Sequence, residues 1–296
     1  MARYSNKFGG GMASYSINGR QISIVGNQVY VDGVLYVPAD QAGNPGTGGP
    51  ITPGKMVKHR FDVSSDFTSI ISKGFMDVVF NQSVKESDFK VEGHLPENLI
   101  EKMDIYVEGG TLVISTKPEM MNISLPSDKI PTIYVTNKVL KDITNSGSGD
   151  FTISGDLMAH KDGFSARKSG SGDFRAGSII GNGRSLTLSS SGSGDIKIAG
   201  TDAGIVMVDI SGSANVDCGR ITTSICSIDI HGSVDVKISG TTDTVDFSIA
   251  GSGDISAGNF IAKKGKASIA GSGDITCNVQ QLSDRVRGSG DVHNLH

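Results

Sequence analysis

The sequence predicts an all-β fold: a right-handed parallel β-helix, a β-solenoid of about 20 residues per coil, preceded by a small N-terminal β-meander. Three observations carry this reading. The tetrapeptide Gly-Ser-Gly-Asp starts at Gly147, Gly170, Gly192, Gly251, Gly271 and Gly288, with degenerate copies at Gly212 and Gly232. The gaps between successive leading glycines are 23, 22, 20, 20, 19, 20 and 17 residues, and a near-fixed period of this length marks a stacked repeat array. On both sides of each tetrapeptide, apolar and polar residues alternate with period two, as in short strands that bury one face.

The repeat is sharpest when read as columns. Four places after the leading glycine stand Phe151, Phe174, Ile196, Val216, Val236, Ile255, Ile275 and Val292, without exception. Four places before it stand Ile143, Ala166, Leu188, Val208, Ile228, Phe247 and Ala267. Two places before it, Ile210, Ile230, Ile249, Ile269 and Val286 follow three polar breaks at Asn145, Lys168 and Ser190. One coil alone leaves its apolar face in water. Stacking coils at about 4.8 Å pairs each strand with its counterparts above and below and closes a continuous apolar interior. Strand twist and crossover chirality favour the right-handed form.

The corner residues follow from that stacking. Glycine turns the chain sharply, and Ser148, Ser171, Ser193, Ser213, Ser233, Ser252, Ser272 and Ser289 form a hydroxyl ladder. Beside it runs an acidic column: Asp150, Asp173, Asp195, Asp235, Asp254, Asp274 and Asp291, with Asn215 in the remaining place. An aspartate at a turn accepts hydrogen bonds from nearby backbone N–H groups, so the column reads as scaffolding. Its functional alternative is a calcium ladder on those seven aspartates, because closely spaced carboxylates suit a hard cation.

In chain order, residues 1–38 hold a tail up to Gly11 and then a meander that alternates cleanly. Asn18-Gly19 and Asp32-Gly33 are strong hairpin-turn signals in it, and Gly26-Asn27 is a weaker one. Such strands are marginal alone, so this segment is a candidate oligomerisation element. Residues 39–58 form a Gly/Pro-rich linker. Residues 59–145 read as an irregular first part of the solenoid, with a short helical turn over 95–102 behind Pro96. Residues 146–296 are the regular repeats.

Composition bounds the function. The 296 residues carry a net charge of -4, no Trp and no basic stripe, which leaves nucleic-acid binding unsupported. No apolar run approaches the ~20 residues needed to span a bilayer, so no membrane insertion is expected. Residues 1–11 lack an apolar signal core, so the expected place is the cytoplasm; the alternative is the cell or particle surface by a non-classical route. Cys218 and Cys277 share a column three coils apart, about 14 Å at ~4.8 Å per coil, too far for a disulfide. With Cys226 they read as buried fillers.

The succession Phe67-Thr68-Ser69-Ile70, Asp77-Val78-Val79-Phe80, Val107-Glu108-Gly109-Gly110-Thr111-Leu112-Val113-Ile114, Ile133-Tyr134-Val135 and Asn145-Ser146-Gly147-Ser148-Gly149-Asp150 resembles the auto-transporter adhesin head GIN domain family. The resemblance spans about residues 59–296. It implies a right-handed β-helix whose irregular first turns precede the regular ones, and it brings no catalytic residues.

The chemistry sought elsewhere is sparse. His59, His94, His160, His231, His293 and His296 have no metal-ligand spacing. The glycine corners lack the Lys-Ser/Thr and following helix of a phosphate loop. The expected function is therefore a non-enzymatic structural or binding solenoid without a cofactor, self-associating through its N-terminal segment and open to a protein or glycan ligand. Two alternatives stand beside it: a surface adhesin, and a polysaccharide-active enzyme, which needs two carboxylates at a set separation.

Overall fold

A computed structural model of the chain describes the backbone of the strands within residues 4–36, and residues 53–117 and 125–296. These fall into two units, each with its own sheet.

The first unit is an antiparallel meander of Tyr4–Ser5, Met12–Ile17, Arg20–Val25, Gln28–Val31 and Val34–Tyr36, paired in chain order. The pairs Ile17↔Arg20, Val25↔Gln28 and Val31↔Val34 fall where the three turn dipeptides were expected. Those dipeptides, and residues 39–52 of the expected linker, lie outside the described residues. Part of the expected tail is strand, since Tyr4 pairs with Tyr15 and Ser5 with Ser14.

The second unit is a β-solenoid of stacked parallel turns. Each turn has a strand that enters the Gly-Ser-Gly-Asp corner and one that leaves it. Asp142–Gly147 and Phe151–Ile153 make one such turn, and Phe164–Gly170 and Phe174–Ile180 the next. From Asn215 onward the strands lengthen into Asn215–Gly232, Asp235–Gly251, Ile255–Gly271 and Ile275–Gly288. Each of these bends to cover an exit wall, a third wall and the next entry wall. The registers are the columns expected from the sequence: Phe151 lies against Phe174, Phe174 against Ile196, Ile196 against Val216, and so on to Val292. Phe151 is fully buried, and its ring centroid lies 6.2 Å from that of Phe174.

The corner glycines make this pitch possible. Gly271 has φ +153°, and a Cβ there would collide with the carbonyl oxygen of Gly251 one coil below. The corner also starts earlier than the tetrapeptide shows. Gly74-Phe75-Met76-Asp77 joins Ser69–Gly74 to Asp77–Gln82, and Gly147 stacks on Gly74.

The N-terminal end does not follow chain order. Thr111–Thr116 runs parallel to Ser69–Gly74, and Thr132–Asn137 parallel to Asp77–Gln82. This turn therefore lies on the far side of residues 69–82 from Asp142–Gly147. Beyond it the pairing becomes antiparallel, through Met103–Glu108 on one wall and Lys90–Pro96 with Met56–Phe61 on the other. Met56–Phe61 begins in the stretch expected to be linker, because Met56 and Val57 pair with Pro96 and Leu95. The helical turn is a 3₁₀ segment, Glu97–Lys102, with Pro96 at its N-cap.

At the C-terminal end the inward column changes character. Asp284 pairs with Ala267 and takes a place that is apolar in the coils below. The Asn294 side-chain amide bonds both the N–H and the C=O of Val279, each at 2.9 Å. Exposed Asp284 in that column and a capped last strand, with Arg285 and Arg287 on the final rung, discourage another chain from adding there. The three cysteines are buried, and burial pushes the Cys218 thiol up to about 12.

Truncating the aligned interior has a large expected cost. Phe151→Ala should destabilise the chain by about 3–5 kcal/mol, against less than about 0.5 kcal/mol for the outward neighbour Thr152→Ala. Urea denaturation of both variants checks this; equal midpoints would contradict it.

Candidate functional site

Three features of the solenoid carry chemistry-bearing side chains in order: the corner ladder, a polar stretch of the interior, and the outer face of the exit wall. In the corner, each aspartate reaches up to the next coil. Asp150 Oδ1 accepts the Asp173 N–H at 2.8 Å, Asp173 Oδ1 that of Asp195, and Asp195 Oδ1 that of Asn215. The pattern resumes from Asp235 through Asp254 and Asp274 to Asp291. Asp77, which sequence reading missed, starts the column by accepting the Asp150 N–H at 2.9 Å. Burial raises the Asp77 pKa. Arg175 bridges Asp150, at 2.8 Å, and Asp173. The hydrogen bond to Asp150 raises the Arg175 pKa in turn. Hence one oxygen of each bonded carboxylate is committed to the backbone. Among the described residues no group of three or more His, Cys, Asp or Glu is placed to hold a metal ion.

The three polar breaks in the inner column come together inside. Asn145 pairs with Ser72 and Lys168, and Lys168 with Ser190; all four are buried. Asn145 Nδ2 donates to Gly149 O at 2.8 Å, and Lys168 Nζ to Gly170 O at 3.4 Å, so both serve corner carbonyls from within. Ser190 Oγ has no hydrogen-bond partner among the described residues. Lys168 is only 5% exposed. Desolvation pushes its pKa down, opposed by the charges of Asp173, Asp195 and Asp150 across the corner.

The outer face of the exit wall is a mostly polar surface. One row across it reads Arg60, Glu92, Tyr134, Val79, Thr152, Arg175, Lys197, Asp217, Lys237, Ser256, Thr276 and His293, each beside the next in register. A groove of about 420 Å³ follows its middle, past Arg175, Lys197, Asp217 and Lys237. Nearer the N-terminal end a second cavity of about 400 Å³ is centred on Tyr134, which is 41% exposed. Lys58 and His94 stand on one side of the ring, and Lys90, Thr136, Asn81 and Ser154 on the other. Lys90 pairs with Glu92 at 3.3 Å. Sequence reading missed this cavity, because its residues come from strands that pair far out of chain order. Of the six histidines only His94 lines it; His59 packs edge-on against Phe61.

The family described as "Putative auto-transporter adhesin, head GIN domain" has a model that matches residues 66–238 and 206–295. Among solved structures, a "putative adhesin" from Parabacteroides merdae aligns with TM-score 0.67 at 20% identity, covering 83% of this chain and 98% of that one. A "putative adhesin" from Bacteroides fragilis aligns with TM-score 0.59 at 19% identity, covering 81% and 97%. A "putative lipid binding protein" from Parabacteroides distasonis aligns with TM-score 0.59 at 25% identity, covering 82% and 98%. No curated protein matches the chain significantly.

Lys168 gives the interior a pH signature. Its folded pKa lies below the ordinary 10.5, so the unfolded chain binds the extra proton between the two values. Stability then rises with pH through that window, and the cost of the buried charge is full below it. Lys168→Met should melt higher than the parent at pH 7, with an advantage that shrinks toward pH 10.5. A constant difference across that range would contradict the assignment.

Proposed function

The chain belongs to the auto-transporter adhesin head GIN domain family, and on that premise we propose that it is a surface-exposed, non-enzymatic binding module. The observation that carries the reading is the outer row of the exit wall, mostly polar and in register from Arg60 to His293. A rigid parallel wall presents side chains at about 4.8 Å intervals with little ordering cost on binding, which suits an extended ligand, a glycan or a protein segment.

The support for a non-enzymatic role is local. The Tyr134 cavity is lined by one carboxylate, Glu92, already paired with Lys90, whereas glycoside cleavage uses two. In the same reading the aspartate column is scaffold, one oxygen of each bonded carboxylate being engaged by the next coil. The surface is the place we infer for the chain, in preference to the cytoplasm. No helix of the described residues is long and apolar enough to cross a membrane. Lipid contact is a second reading. It draws on the lipid-binding description of the Parabacteroides distasonis relative and on the exposed apolar side chains Ile205, Ile225 and Met207 on adjoining strands.

We further propose that the N-terminal meander joins copies of the chain, since its strands are two to six residues long and marginal alone.

Two measurements test these readings. Antibody raised to the chain should label intact, unpermeabilised cells; labelling only after permeabilisation would overturn the surface role. Deleting residues 1–38 should lower the particle mass in light scattering, and an unchanged mass per chain would refute self-association.

A further inference from the structure

The Tyr134 cavity has a composition that selects one kind of ligand. We propose that it binds a carboxylate-bearing sugar of a glycan, with the Tyr134 ring under the sugar's apolar face and Lys58 Nζ on its carboxylate. The proposal deepens the binding-module reading and rests on it.

Charge comes first. Two lysines and one glutamate line the cavity, an excess of one cation on a chain whose net charge is -4. Lys90 is neutralised by Glu92 at 3.3 Å, and Arg60, the next outward residue beyond Glu92, donates to Phe89 O. Lys58 has no hydrogen-bond or ion-pair partner among the described residues and is the cation left for an anionic group. Asp77, the nearest carboxylate on the far side of Thr132, is turned to the corner, where its Oδ1 accepts the Asp150 N–H.

Shape and polarity narrow the ligand further. Tyr134 is the large aromatic ring of the lining, beside the His94 imidazole, and its neighbours on either side in the row are Glu92 and Val79. A half-exposed ring of this kind offers an apolar platform with a polar tip. Asn81 and Thr136 are direct register partners, and Ser154 directly follows the next strand outward, with its N–H bonded to Phe80 O. None of these three side chains is engaged within the chain among the described residues. They supply donors and acceptors on adjacent strands, about 4.8 Å apart, facing the same space as the ring. A ring with one apolar face, hydroxyls on its edge and one carboxylate uses all of these groups. The volume of about 400 Å³ is within the roughly 300–1,000 Å³ common for small-ligand sites.

A phosphate headgroup uses fewer of them. It has no ring for Tyr134 and no need of the amide and hydroxyl row. The cavity also lacks the arginine fork or helix N-terminus with which phosphate sites are commonly built.

The test is an array of neutral and acidic glycans probed with the full chain, alongside Lys58→Gln, Tyr134→Ala and Tyr134→Phe. Hits should be carboxylated glycans, and methyl esterification of a hit should weaken binding at least tenfold. Lys58→Gln and Tyr134→Ala should each cost at least tenfold, while Tyr134→Phe, which keeps the ring, should stay within about threefold. Neutral glycans bound as well as acidic ones would overturn the proposal. So would capture of vesicles bearing phosphate headgroups in place of any carboxylated glycan. Glycan binding that survives both Lys58→Gln and Tyr134→Ala would place the ligand elsewhere on the wall; the binding-module reading would stand and this assignment would fall. If no glycan binds, the assignment fails, and surface labelling of intact cells still decides the surface role by itself.

Discussion

Vertical register is the constraint on which the rest of this molecule depends. A coil of some 20 residues buries too little to persist alone, and it becomes stable only when its strands pair with the coils on either side. Parallel pairing then brings like positions into line, so the choice of residue at one corner limits the choice at the next. The run from Val78 through Phe151, Phe174 and Ile196 is the interior expression of that rule. The aspartate column is its exterior expression: from Asp77 to Asp274 the carboxylates take an N–H that the tight corner would otherwise leave to water. Both break down together if one coil slips, because a one-residue shift turns every inward side chain outward.

The same rule explains how the stack stops. A parallel stack with open ends would offer unpaired N–H and C=O groups to another chain. At one end antiparallel strands replace parallel ones, and at the other Asp284 enters an apolar column while Asn294 engages Val279. The interior tolerates Asn145, Lys168 and Ser190 early in the stack because two of the three donate to corner carbonyls. Binding capacity is a by-product of the same geometry: a wall rigid enough to hold register is also a preorganised surface.

The regular coils were legible because their information is local and repeated. Period, alternation and the glycine corners place Phe151 to Val292 inside, and the structure pairs them in that order. The first coils were hard to read for a physical reason. Gly74-Phe75-Met76-Asp77 performs the corner turn with Phe and Met where later corners have Ser and Gly, so the repeat signal is lost although the geometry survives. Thr111–Thr116 and Thr132–Asn137 stack on the far side of residues 69–82, an order set by long-range pairing that no window of sequence displays. Tyr134 gains its neighbours His94, Asn81 and Ser154 only through that pairing, which is why the cavity went unseen. The buried Lys168 stood out as a break in an apolar column, but its donation to Gly170 O needed coordinates.

The most direct test of the account is a set of distances along one row of the exit wall, measured between spin labels by pulsed electron resonance. Thr152 and Lys237 are four register steps apart and Thr152 and Thr276 six, so in-register stacking sets separations of about 19 Å and about 29 Å at ~4.8 Å per step. Narrow distributions differing by about 10 Å are the expected result. Distances that fail to grow from the first pair to the second would contradict the stacking, and with it the assignment of every surface built on it.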